Sequence, residues 1–97
     1  MNEVPYVLLD EVKSRLRISH TSEDYNLEFL VKSSIDDLTK KCGVFDIETN
    51  YQAKELVFER VRYAYNDSIE FFNDNFLSQI NSLSINLILE AQAGEVI

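Results

Sequence analysis

Apolar residues recur along this chain at three- and four-residue steps, the signature of amphipathic helices. Leu8, Leu9, Val12 and Leu16 share one face and predict a short helix over about residues 7–17. The run Ile18-Ser19-His20-Thr21 breaks that pattern. In the second predicted helix Leu27, Leu30, Val31, Ser34, Ile35, Leu38 and Cys42 form one continuous apolar face. Thr21 or Ser22 can cap it, Glu23 and Asp24 suit the positive end of its dipole, and Lys40 and Lys41 suit the negative end. Glu28–Lys32, Asp36–Lys40 and Asp37–Lys41 set acid before base at i, i+4, the favourable order. Gly43 can take the left-handed stop, and residues 44–49 read as a loop.

A third helix is predicted over about residues 50–73, opened by Thr49 and Gln52 as a capping box. Ala53, Leu56, Val57, Val61, Ala64, Ser68 and Phe71 line one face. A second apolar row lies beside it: Tyr51, Phe58, Tyr65 and Phe72 at steps of seven, with Ile69 nearby. The remaining side carries Glu55, Glu59, Asn66, Asp67, Glu70 and Asn73. Phe76, Ile80 and Leu83 suit a short fourth helix over residues 74–83. The segment Ser84-Ile85-Asn86-Leu87-Ile88-Leu89 begins with strand alternation yet equally continues a helix, and period alone does not decide between them. Pro5 biases residues 1–6 toward extended geometry, and residues 91–97 are expected to fray. The fold expected is therefore all-α: a small bundle of three to four helices, one short and two long, with an ambiguous C-terminal segment, forming one domain over residues 1–97.

Charge narrows the function. Nine Lys+Arg against 17 Asp+Glu give a net charge of −8, the wrong sign for gripping a phosphate backbone or an anionic membrane surface. Residues 44–97 hold 9 acids and 3 bases, and no base follows Arg62. At 45% hydrophobic and 11% aromatic the chain is too apolar for a disordered acidic tail. No run of 18 apolar residues is present, and Met1-Asn2-Glu3-Val4-Pro5 lacks the pattern of a signal peptide, so a soluble protein made inside the cell is expected.

Little in the sequence carries chemistry. His20, the single histidine, sits among Ser19, Thr21 and Ser22 and reads as a solvated loop residue. Cys42, the single cysteine, falls on the core side of its helix as a small hydrophobe. Two glycines, Gly43 and Gly94, do not make a phosphate loop or a dinucleotide fingerprint. The adjacent acids Glu23/Asp24 and Asp36/Asp37 point about 100° apart on a helix rather than at one substrate. No enzyme, metal or cofactor is expected. What remains is surface. Either the third helix is central and surrounded, or Tyr51, Phe58, Tyr65, Ile69 and Phe72 meet another subunit, and the two readings stand equal. Phe29, opposite the apolar face of its helix, adds a candidate anchor. Arg60 lies at the apolar face of the third helix. Its stem covers apolar neighbours with the head in solvent, the reading slightly favoured, or it forms an inter-helix or inter-subunit ion pair.

The segment Leu9-Asp10-Glu11-Val12-Lys13-Ser14-Arg15-Leu16-Arg17-Ile18 resembles the opening of the bacteriophage head–tail connector (adaptor) proteins. In that family a short helix ends in Leu-Arg-Ile, here Leu16-Arg17-Ile18. A polar acidic loop follows, here Ser22-Glu23-Asp24, and then a long helix with Leu27 and Leu30, in which Ser34 fills the place of a small mid-helix residue. The next helix is rich in aromatics and acids, as in Tyr63-Ala64-Tyr65-Asn66-Asp67. The resemblance covers residues 7–75; the Pro-containing turn that some members carry after it is missing here. It implies a helical subunit that assembles as a ring, usually of twelve, below the portal of a filled capsid. Such a ring extends the DNA channel, which DNA passes without specific binding, and offers a platform to a stopper or tail-completion protein. On this reading Phe29, Tyr51, Phe58, Arg60, Tyr65, Ile69 and Phe72 are candidate subunit contacts. Glu55, Glu59, Asp67 and Glu70 face solvent or the channel, and Ile85, Leu87, Ile88 and Leu89 dock to a partner. An acidic binding module that mimics DNA and blocks a nucleic-acid-binding protein is the alternative that −8 equally suits.

Overall fold

The computed structural model describes residues 6–95, with side chains described for residues 8–93. Residues 1–5, expected to be extended, and residues 96–97 lie outside the described range. The fold is all-α: α1 (Tyr6–Leu16), α2 (Asp24–Cys42), α3 (Tyr51–Tyr65), a 3-10 turn (Ile69–Phe71), α4 (Phe72–Asn75) and α5 (Leu77–Glu95).

α1 stops without a glycine. The N–H of Ile18 donates to the carbonyl of Lys13 at 2.9 Å and that of Arg17 to Ser14 at 3.2 Å, a Schellman closure that needs a left-handed residue. Arg17 takes that conformation, with φ 60°. α2 begins after Glu23 without a side-chain cap. The expected cap Ser22 instead shares a 2.8 Å hydrogen bond with Nδ1 of His20. At its far end Gly43 has φ 118° and ψ 173°, a region essentially reserved for glycine, and its N–H donates to Thr39 at 2.9 Å.

α3 is capped one residue later than the sequence pattern implied. Oδ1 of Asn50 accepts from the N–H of Ala53 at 3.0 Å. Gln52, freed from the expected capping box, donates to Ser82 at 3.0 Å and accepts from Asn86 at 3.0 Å, so it ties α3 to α5 instead. α3 also ends well before residue 73. A second Schellman closure, Ser68 to Tyr63 at 2.8 Å and Asp67 to Ala64 at 3.2 Å, turns the chain at Asp67, whose φ is 57°. Tyr51, Phe58, Tyr65 and Phe72 are therefore not one row on one helix. After the turn, the ambiguous tail proves to be helix: Ile85–Leu89 lies in the middle of α5.

α2 and α3 pack antiparallel, with Tyr65 near Glu23 and Arg60 near Asp37. α1 runs alongside α3, where Glu11 pairs with Lys54 at 2.9 Å and the Arg15 guanidinium lies 4.7 Å above the Phe58 ring. α5 returns along α3, from Phe76 against Tyr63 to Asn86 against Gln52. The shared core holds Leu27, Val31 and Leu38 of α2, Ala53, Val57 and Val61 of α3, and Val12, Phe72 and Leu83. Beyond Leu87 every described side chain of α5 is exposed, so its last turns stand clear of the body.

Candidate assembly surface

The structure divides the predicted contact residues into two groups. Phe58 and Phe72 are internal, at 6% and 1% exposure. Phe58 is covered by α1, while Phe72 packs against Phe76 (centroids 5.2 Å, stacked) and edge-on to Tyr63 at 5.9 Å. Neither presents a surface to another subunit: α1 covers Phe58, and the turn at residues 66–68 folds Phe72 back over α3 instead of extending an outer row. Phe29 (62% exposed), Tyr51 (73%) and Ile69 (39%) remain at the surface.

Tyr65 is half-buried and committed within the chain. Its hydroxyl donates to Oε2 of Glu23 at 2.6 Å, and this bond holds its pKa above the usual tyrosine value. Arg60 is committed too. Its Nε donates to Oδ2 of Asp37 and its Nη1 to the hydroxyl of Ser34, each at 3.1 Å. The favoured expectation of a head in solvent gives way to an inter-helix ion pair, which also satisfies the fully buried Ser34. Burial raises the pKa of the Cys42 thiol, which donates to the carbonyl of Ile80 at 3.5 Å.

Among the predicted surface acids, Glu55, Asp67 and Glu70 are exposed; Glu59 is half-buried and accepts from Arg62. Ile85, Ile88 and Leu89 are more than half exposed, whereas Leu87 is half-buried and packs beside Gly43. Four exposed apolar residues lie outside the predicted contacts: Tyr25 at 87%, Val44 at 85%, Phe71 at 59% and Leu77 at 55%. Phe71 was assigned to the inner face of a helix that in fact ends before it. Tyr25 lies one turn before Phe29 on the same outer face of α2, a signal present in the sequence.

A groove of about 490 Å³ lies over α3 between α1 and α5. Leu56 and Phe76 line it along with Arg15, Gln52, Glu55, Glu59, Ser78, Gln79 and Ser82. Among the described residues no cluster of His, Cys, Asp or Glu is arranged to hold a metal ion. No described helix is long and apolar enough to cross a membrane. The described surface carries exposed rings on α2, an acid-walled groove over α3, and a second apolar stripe on α5.

A sequence model of the family described as phage gp6-like head-tail connector protein matches residues 6–85. The chain belongs to that family. No curated protein and no solved structure matches it. The connector match begins where α1 begins and ends within α5, so it takes in the core, the groove and the outer face of α2. The resemblance read from Leu16-Arg17-Ile18 onward was therefore legible in the residues themselves, and its Leu-Arg-Ile motif is the Schellman closure of α1. As a member of a connector family the chain has a structural role in the phage particle, in association with other head and tail proteins.

Proposed function

We propose that this connector assembles as a cyclic homo-oligomer, twelve copies in the virion, below the portal protein. The ring extends the DNA channel and carries the stopper or tail-completion protein on its far side. Assembly takes place in the host cytoplasm. The single observation that carries this reading is the family match over residues 6–85. Two features of the chain support it. Phe29, Tyr51 and Ile69 leave apolar surface uncovered on an acidic molecule, as expected of a part that completes its burial by association. Asp67 and Glu70 are exposed on a segment without a single base, a surface that repels DNA phosphates and lets them slide past. The exposed end of α5, with Ile85, Ile88 and Leu89, is the part offered to a neighbouring head or tail protein.

Electron microscopy of the protein mixed with the portal of its own phage tests the proposal. A ring of added density at the lower rim of the portal is expected. A bare portal in the presence of excess connector would contradict it. A salt-sensitive one-to-one complex with a basic nucleic-acid-binding protein would favour the acidic-module reading instead.

A further inference from the structure

We infer that subunits join front to back: the outer face of α2 in one copy seats in the groove over α3 of the next. The inference rests on the reading of the chain as a self-assembling subunit and names the two surfaces that meet. Arg60 reaches Ser34 and Asp37, so the side of α3 that holds Arg60 and Val57 faces α2. Gln52, Glu55 and Glu59 leave α3 on its other side and wall the groove. The outer face of α2, with Tyr25 and Phe29, points away from that core in turn. Peg and groove therefore stand on opposite sides of the molecule. A contact between two different surfaces of one chain does not close on itself in a dimer but continues to a third copy.

The chemistry of the two surfaces matches. The groove has an apolar floor in Leu56 and Phe76 and room for projecting rings. On α2, Lys32 lies on the same outer side as Phe29. Lys13, Lys40, Lys41 and Lys54 are all engaged in ion pairs within the chain. Among the described residues Lys32 has no such partner, and neither has Glu55, the exposed acid of the groove, whose own cation Arg15 is turned onto the Phe58 ring. With Phe29 in the groove, Lys32 of one copy meets Glu55 of the next. An unpaired cation and an unpaired anion then answer each other across the contact.

Sedimentation of the purified full chain over a wide concentration range tests this. The average mass of the native chain is expected to rise with concentration up to the millimolar range. Phe29→Asp or Ser78→Arg, both at exposed positions, should keep the helical circular dichroism and weaken association by roughly thirtyfold, the size of a hot-spot loss. Mixed together, these two variants should form a one-to-one complex and nothing longer, because each retains the surface that the other lacks. Lys32→Glu and Glu55→Lys should each weaken association several-fold, and the double variant should recover it. Unchanged association of both Phe29→Asp and Ser78→Arg overturns this pairing while leaving assembly through other surfaces standing. A mixture that stays monomeric overturns it as well, and so does a native chain that stays monomeric at millimolar concentration. Binding of the monomer to the portal would then still uphold the connector reading.

Discussion

The α2–α3 pair and the segment from Ile69 to Glu95 use apolar residues in opposite ways. Leu27, Val31 and Leu38 meet Ala53, Val57 and Val61 with no measurable exposure, and the outer sides of both helices are mostly charged or polar. α5 covers fewer of its large apolar residues. Ile80 and Leu83 are buried, but Leu77, Ile85, Ile88 and Leu89 are each more than half exposed. The difference separates two tasks within one small fold. The inner faces of the first region hold the monomer together while Tyr25, Phe29 and Tyr51 stay on its outside, and the second region leaves most of its large apolar side chains at the surface.

Substitutions that should have unequal effects in the two regions test that division. The largest effect is expected at Phe72, the largest side chain of the later segment that lies wholly in the core. Phe72→Ala should lower stability by about 3–5 kcal/mol in chemical denaturation, whereas Ile88→Ala or Leu89→Ala should change it by no more than about 0.5 kcal/mol. A large loss at Ile88 would mean that α5 is held down more firmly than its exposure implies. Next comes Arg60→Met, which leaves Ser34 and Asp37 without one partner and should cost about 1–2 kcal/mol. Lys41, 2.7 Å from Asp37, limits the loss.

Smaller effects sharpen the picture at the helix ends. Arg17 and Asp67 occupy left-handed positions where glycine is preferred, so Arg17→Gly or Asp67→Gly should raise stability by about 0.5–1 kcal/mol, read as a higher midpoint in thermal unfolding. Tyr65 gives the smallest effect, in alkaline solution. Its bond to Glu23 raises its folded pKa, so the folded chain keeps a proton that the unfolded chain releases. That contribution is complete below the ordinary tyrosine range and is lost as pH rises through the raised value. Stability of the native chain should therefore fall with pH in that range, and Tyr65→Phe should flatten the fall.

The two regions also differ in how far the sequence announced them. α1, α2 and the core face of α3 were legible because their apolar residues keep one helical period against a charged background. The family resemblance was legible in the same stretch. The chain reversal after α3 was not. Its Schellman closure uses Asp67 rather than glycine, so no breaker marked the place, and aromatics at steps of seven suggested a continuous helix. α5 was ambiguous for a related reason: with apolar residues on both sides, Ser84–Leu89 mimics strand alternation, and only packing against α2 and α3 decides. The exposure of Phe29 was readable from its place opposite the apolar face of α2. The burial of Phe58 and Phe72 was not readable, because spacing shows that a residue is apolar but not which neighbour covers it. α1 covers the first, and the turn buries the second.

The claim on which the account depends is that exposed rings on α2 are covered by the next copy of the same chain. Disulfide trapping addresses it directly, with Phe29→Cys and Ser78→Cys placed in one chain; Cys42 is buried and stays out of the reaction. Oxidation of the concentrated protein should give a ladder of linked species that stops at one largest size, the closed ring. Monomer alone after oxidation, from a chain that is folded and assembled, would contradict it.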